Sequence, residues 1–263
     1  MISPLAYVDP AAKLGKDVIV HPFAFIDKDV EIGDQCEIFP YASIMKGTRM
    51  GNGNKVYQGA IIGADPQDFH WKGDRSFCYI GNNNVFREHV IINRGIKSEG
   101  GTRFDDNIFV MADSHIGHDS HIKSNCVLGN GVTIAGDVKV DTGTILSSNV
   151  ILHGGVNVGK FTLVKGGCRI SSNVPPFVII AHNPAVYYGI NAVILGKYAG
   201  YKESQIDDIA KAYRHIYQSG TSLYNAMIRI EADIDRSEER DEILSFIRNN
   251  NNKIVATHSA MND

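Results

Sequence analysis

The sequence is short of the features that would move it out of the class of ordinary folded proteins. Only four of its 263 residues are cysteine, and Cys36, Cys78, Cys126 and Cys168 are spread too widely to read as a disulfide framework or a zinc cluster. The formal net charge is −3, too small and of the wrong sign for a nucleic-acid binder or a polybasic membrane anchor. No apolar run approaches the ~20 residues needed to cross a bilayer. The opening MISPLAYVDP has neither the basic nor the apolar region of a signal peptide, so the expected compartment is the cytoplasm. Walker and Rossmann glycine patterns and a Ser-His-Asp order are missing; GNGNKV and GNNNV read better as corners with positive φ than as phosphate cradles. With 43% hydrophobic and 21% charged residues, disorder, collagen and coiled coil are excluded as well. Proline is scarce, with 8 residues against 26 glycines, a balance that suits a chain with many tight corners.

What the sequence does have is a period of six. Stepping from Val8 to Ile170 gives 28 slots, of which 25 are apolar. The slot two residues earlier holds small or β-branched residues such as Ala24, Ala42, Ala60, Ser114, Ser120, Val132 and Val150. Positions two apart on a strand share a face, so both slots point inward. Six fits neither a helix nor a sandwich strand, but it fits short parallel strands joined by corners, three to an 18-residue coil. Roughly eight such coils, stacked at the ~4.8 Å interstrand spacing, make a prism about 40 Å long.

The failing slots are Asp68, Asp74 and Ser98, in PQDFHWKGDRSF and KSEGG, and they predict loops leaving the prism near 64–77 and 95–101. All four cysteines fall in the small inward slot and are expected to be reduced core residues. The repeat is expected to end at Val174-Pro175-Pro176. After a connecting segment, 177–197, the region 198–263 is expected to be helical. Ser204–Tyr217 has apolar residues at helical spacing, with Ser204 and Asp207 as a start signal and Gly220 as a stop. Further helices are predicted at Leu223–Ile234 and Glu238–Ile247. The fold class is thus a parallel β-helix of hexapeptide repeats over 1–176, followed by a small C-terminal α-helical domain.

His115, His118, His121 and His153 all take outward slots. If the loop at Ser98 replaces a hexad, Ile92, Ile116, Ile134 and Leu152 are consecutive rungs of one face, and His118 lies directly under Gly136. An imidazole can take a proton from a hydroxyl, and a neighbouring backbone N–H can stabilise an oxyanion, as acyl transfer requires. Asp119, next in sequence, is a candidate to orient the ring. A metal reading through His115, His118 and His121 stays open, because γ-type carbonic anhydrases share this kind of prism.

The series IGADPQDFHWKGD, INRG, DSHIGHDSHIKSNCVLGNGVTIAGDVKVD, NVPPFVI and YYGIN, with the helical tail, resembles the UDP-N-acetylglucosamine O-acyltransferases that use acyl carrier protein. The likeness covers nearly the whole chain. It implies a left-handed β-helix, a homotrimer with sites between prisms, and transfer of an (R)-3-hydroxyacyl group from acyl carrier protein to the 3-hydroxyl of UDP-N-acetylglucosamine, the first step of lipid A synthesis. It implies no cofactor and no metal. By position, His118 matches the general base with Asp119 beside it, and Gly136 the oxyanion donor. Asp68, His115, His153 and Asn191 match contacts to the sugar nucleotide. Gly166 matches the position that limits acyl length, and a glycine there implies a chain nearer fourteen carbons than ten. Lys160, Lys165 and Arg169, in outward slots near the end of the prism, are candidates to meet the acidic carrier protein.

The chain departs from the family's usual pattern at Asn93 (commonly His), His70 (commonly Lys), Asp137 (commonly His) and Lys197-Tyr198 (commonly paired Arg). His70, Asn93 and Lys197 are counted with the substrate-binding set, and the departures bear on nucleotide contacts rather than on the reaction class. Three other readings remain: N-acyl transfer to an amino sugar nucleotide, a carbonic-anhydrase-like metalloenzyme, and a purely structural β-helix, the last of which would carry threonine ladders and no histidine cluster.

Overall fold

The computed structural model describes residues 1–96, 100–251 and 253–256. Among the described residues, strands of two to four residues recur in six-residue phase from Tyr7–Val8 to Arg169–Ile170, interrupted by two loops, and three sheets of nine, eight and ten strands, parallel but for the last pair of the third, form the walls of a left-handed prism. The first face carries Tyr7–Val8, the second Lys13–Leu14 and the third Ile19–Val20, and each later coil repeats the order. The two inward slots make one continuous core: Ile26, Ile38, Ile44, Ile62, Ile92, Ile116 and Ile134 have no exposed surface. Each such side chain contributes about 1.5–3 kcal/mol by leaving water, and the parallel ladder satisfies the backbone at every rung.

A six-residue period works only if the corners turn sharply. One residue per corner takes the left-handed conformation, for example Asp17, Asn83, Asn107, Asp113, Asp119, Asn125 and Asp137, with Gly53 and Gly131 elsewhere. Asn, Asp and Gly are the residues that tolerate it. The register matches the stacking arithmetic: Ile92 pairs with Ile116, Ile116 with Ile134, and Ile134 with Leu152. All four cysteines are buried and free; burial pushes the Cys78 and Cys126 thiols up to about 12, which removes them as nucleophiles.

The C-terminal part differs from expectation in three places. The prism does not stop at Pro176: Val178–Ala181 still pairs in parallel with Leu163–Val164, then turns into an antiparallel strand, Val186–Ile190. Pro175 and Pro176 occupy the corner before that strand, where no ladder N–H is needed. The connecting segment also holds a short helix, α1 (Ala192–Lys197). Finally, α2 (Glu203–Tyr217) begins before Ser204: the Gln205 side chain takes the Lys202 N–H at 2.9 Å, and Gly220 lies beyond the end of the helix. The other two helices, α3 (Leu223–Asp233) and α4 (Glu238–Asn249), fall where the pattern put them, capped by Ser222 and Ser237. The cap is fastened to the prism by stacked Tyr187, Tyr213 and Tyr217 rings and by the buried Tyr213 hydroxyl donating to the Pro176 carbonyl. Among the described residues no helix is long and apolar enough to cross a membrane.

Candidate active site

On five consecutive coils the edge between the first and second faces departs from the regular corners, first with two loops and then with a cluster of polar side chains. Residues 64–77 leave the prism between Ile61–Ala64 and Cys78–Ile80; one coil on, the chain leaves again between Ile91–Asn93 and Thr102–Phe104. The next three corners hold His118 and Asp119, then Gly136 and Asp137, then His153. Ser98, Lys97 and Glu99 of the second insertion lie outside the described residues.

His118 is 13% exposed and Asp119 8%. The ring Nδ1 and Asp119 Oδ2 are 2.9 Å apart. Asp119 can reach back to its neighbour's ring because it occupies the positive-φ corner position, and its carboxylate is fixed from outside: Oδ2 also accepts from the Ile96 N–H at 3.0 Å, and its own N–H donates to Thr102 Oγ1. With Nδ1 turned to Asp119, Nε2 is the nitrogen left to exchange a proton. Three glycines give the pair room. A Cβ on Gly136 would lie 2.5 Å from His118 Nε2, and one on Gly95 2.6 Å from Asp119 Oδ1. A Cβ on Gly117 would strike the Ala135–Gly136 backbone. The Gly136 N–H makes no hydrogen bond among the described residues.

Asp68 comes to the same place from the protruding loop, with Oδ2 3.4 Å from His118 Nε2. Its other oxygen accepts from the His70 N–H at 2.7 Å and faces His70 Nδ1 at 2.8 Å, contacts that hold the Asp68 carboxyl below the usual carboxylate range. His115 is half-buried on the first face, and burial pushes its pKa down, which favours the neutral ring.

One residue that the sequence reading passed over organises this region. Arg94, within the INRG run, is 2% exposed. Its guanidinium pairs with Asp65 at 2.5 Å, donates to the Gly63 carbonyl at 3.1 Å and lies 5.2 Å from the Trp71 ring centroid. Asn93, also buried, donates to the Asp65 carbonyl at 2.6 Å and accepts from Thr102 Oγ1 through its own carbonyl. Asn93 is thus a brace between the loop and Asp119, not an open contact position.

The other expected site residues are spread over the protomer, His153 on the same edge as His118 two rungs further on and the rest away from it. His153 is exposed and lines a cavity of about 350 Å³ with Arg169, Ser171 and Ser172. Gly166 sits on the edge between the third and first faces, 3.1 Å from the Ser148 carbonyl oxygen as measured from a built Cβ. Asn191 is buried at the start of α1, and its amide donates to the Phe161 carbonyl at 2.9 Å. Lys197, at the end of α1, is exposed. Both belong to another edge than His118, the one between the second and third faces. Lys160 does not point freely to solvent: it pairs with Glu242 at 3.3 Å and lies over Phe177, because α4 packs across its corner. Lys165, stacked on Tyr188, and Arg169 stay exposed. His121 is on the second face, paired with Asp105 at 2.8 Å, and so turns away from His115. Among the described residues no group of three His, Cys, Asp or Glu side chains is arranged to hold a metal.

A curated acyl-(acyl-carrier-protein)–UDP-N-acetylglucosamine O-acyltransferase from Janthinobacterium sp. is 41% identical over 249 residues, 94% of this chain and 95% of that one. The chain belongs to this O-acyltransferase family. The O-acyltransferase of Pseudomonas fluorescens Pf-5 is 40% identical over 253 residues, 94% of this chain and 98% of its own. The family model described as UDP N-acetylglucosamine O-acyltransferase, domain 2, matches residues 173–255, the helical cap. Among solved structures, the UDP-N-acetylglucosamine acyltransferase of Bacteroides fragilis superposes with a TM-score of 0.93 at 42% identity, covering 98% of this chain and 99% of that one. The Francisella novicida acyltransferase gives 0.93 at 32% identity, over 99% and 96%. The O-acyltransferase fold thus extends over the whole prism and its cap.

Proposed function

We propose that the protein transfers an (R)-3-hydroxyacyl group from acyl carrier protein to the 3-hydroxyl of UDP-N-acetylglucosamine, with His118 as general base. The observation that carries this reading is the His118 ring, backed by Asp119 at 2.9 Å and laid against Gly136. Nε2 takes the proton of the sugar hydroxyl as its oxygen bonds to the thioester carbonyl carbon. The Gly136 N–H stabilises the resulting oxyanion, which collapses with cleavage of the C–S bond; the proton passes from the ring to the departing thiolate. Asp119 holds the tautomer and balances the imidazolium. Asp68 and the neutral His115 contact the acceptor sugar, with His70 holding Asp68 in place.

The active unit is a homotrimer. His118 and the Asn191–Lys197 segment lie on different edges of one prism, separated by the breadth of the second face, so a nucleotide meets both, together with His153, in a cleft between neighbours. Outward side chains support the same arrangement: Val85, Phe109, Val127, Ile145, Leu163 and Ile179 form an apolar column up the third face. The acyl chain runs toward Gly166, and Lys165 and Arg169 meet the carrier protein. Reduced, buried thiols and a protein-bound donor fit a cytoplasmic enzyme.

The test is transfer from 3-hydroxyacyl carrier proteins of several lengths to UDP-N-acetylglucosamine, comparing the native enzyme with His118→Ala. The expected result is a native optimum near fourteen carbons and a fall in kcat of about 10²–10⁴ for the variant. A ten-carbon optimum would remove the role of Gly166, and an active His118→Ala enzyme would remove that of His118.

A further inference from the structure

We propose that Asp68 is also a gate on the base: its carboxylate holds the position at His118 Nε2 that the acceptor hydroxyl must take, and so keeps water from being activated against a bound thioester. The inference rests on the acyl-transfer reading above. His118 faces a carboxylate on each side: Asp119 is hydrogen-bonded to Nδ1 at 2.9 Å, and Asp68 Oδ2 stands 3.4 Å from Nε2. With Nδ1 turned to Asp119, the Nε2 lone pair faces the Asp68 oxygen, and a 3.4 Å gap leaves no room for a hydroxyl in line between the two.

The carboxylate is held there by construction. Its two oxygens have separate tasks, Oδ1 closing the turn with His70 and Oδ2 facing the ring. The loop that carries it is pinned at its base by the Asp65–Arg94 pair and by Asn93. The sugar is itself a set of hydroxyls, able to donate to Asp68 and to Nε2 together and so to part them. A single water has two protons but none of the nucleotide's other binding contacts with which to shift the loop.

The reaction that the gate suppresses is hydrolysis. Water oxygen bonds to the thioester carbonyl carbon, its proton goes to Nε2, the C–S bond breaks, and the thiolate recovers the proton, giving free 3-hydroxy acid and the carrier thiol. The residue therefore carries a penalty for removal that a plain sugar contact lacks: a side reaction that appears with no sugar present.

The experiment measures free 3-hydroxy acid released from acyl carrier protein without UDP-N-acetylglucosamine, for the native enzyme, Asp68→Ala, Asp68→Asn and Asp68→Ala combined with His118→Ala. Asp68 lies on a loop outside the prism, so the fold is not at stake. The Asp68→Ala enzyme is expected to hydrolyse the donor at least about tenfold faster than native, a part of what a freed general base supplies. The added His118→Ala change should return the rate to background. Asp68→Asn, whose amide still fills the position and can donate to Nε2, should stay within about twofold of native. Unchanged hydrolysis by Asp68→Ala would overturn the gate, as would a loss of donor binding in that variant, since the gate touches only the acceptor position. Failure of the transfer reading would be seen separately, as a native enzyme that acylates no sugar nucleotide.

Discussion

Gly136 matters for the side chain it does not have. Its backbone supplies the proposed oxyanion donor, and its bare Cα is the surface on which the His118 ring rests, with a built Cβ only 2.5 Å from both Cε1 and Nε2. Gly136→Ala should therefore swing the ring away from Asp119 without touching the core, because neighbouring Ala135 and Asp137 are already exposed. The expected outcome is a fall in kcat of about 10²-fold, the usual effect of a misplacement near 1 Å, with a melting temperature close to native; steady-state kinetics and calorimetry together check it. The His118–Gly136 contact was legible in the sequence because both residues sit in hexad phase, where 18 residues mean one rung. Asp68 beside His118 was not, since 50 residues of chain and an out-of-phase loop separate them. Arg94 stands within the INRG run, but nothing in the repeat marks a long cation there as a buried one. Lys160 went astray for the opposite reason: its slot does point outward, and α4 covers it.

At the scale of elements, the loop 64–77 is tied to the prism through Arg94. Trp71 gives it a stacking face, Asp65 a counter-charge and Gly63 a carbonyl, three contacts in different directions that only a planar fork satisfies together. Arg94→Lys keeps the charge and loses the geometry. It should raise the KM for UDP-N-acetylglucosamine by about 10- to 100-fold through misplacement of Asp68, and leave the KM for the acyl carrier protein near native; equal rises in both would point to a general loss of structure. The helices show which elements a sequence announces. The α2, α3 and α4 segments were readable because eleven or more residues carry a 3.6 period, whereas α1 has six residues and begins at Asn191, which spends its amide on the prism instead of on the helix. The strand Val178–Ala181 was hidden because the two prolines look like an ending, although they only turn a corner.

For the whole molecule, the decisive contrast is between faces. The second face carries charge outward, with Lys13–Glu31 and Lys123–Asp141 pairs each at 2.9 Å. Outward positions on the upper third face are all apolar, and α1 flanks a groove there of about 710 Å³ lined by Val127, Ile145, Phe161, Ile194 and Tyr198. Single exposed apolar residues are ordinary, but a continuous column is a surface meant to be covered. The proposed trimer covers it with neighbouring prisms, which also brings a neighbour's α1 edge toward His118. Ile145→Glu places a carboxylate in the middle of that column without disturbing the inward Leu146, and it should convert the trimer to folded monomers in sedimentation velocity. Activity should disappear with the trimer, because in the proposed assembly each cleft takes residues from two chains. Lys139→Glu, the same kind of change on the charged second face, should leave both assembly and turnover unchanged. A trimeric, active Ile145→Glu enzyme would mean that the chains meet through another face and that His118 must draw its nucleotide contacts from within a single prism.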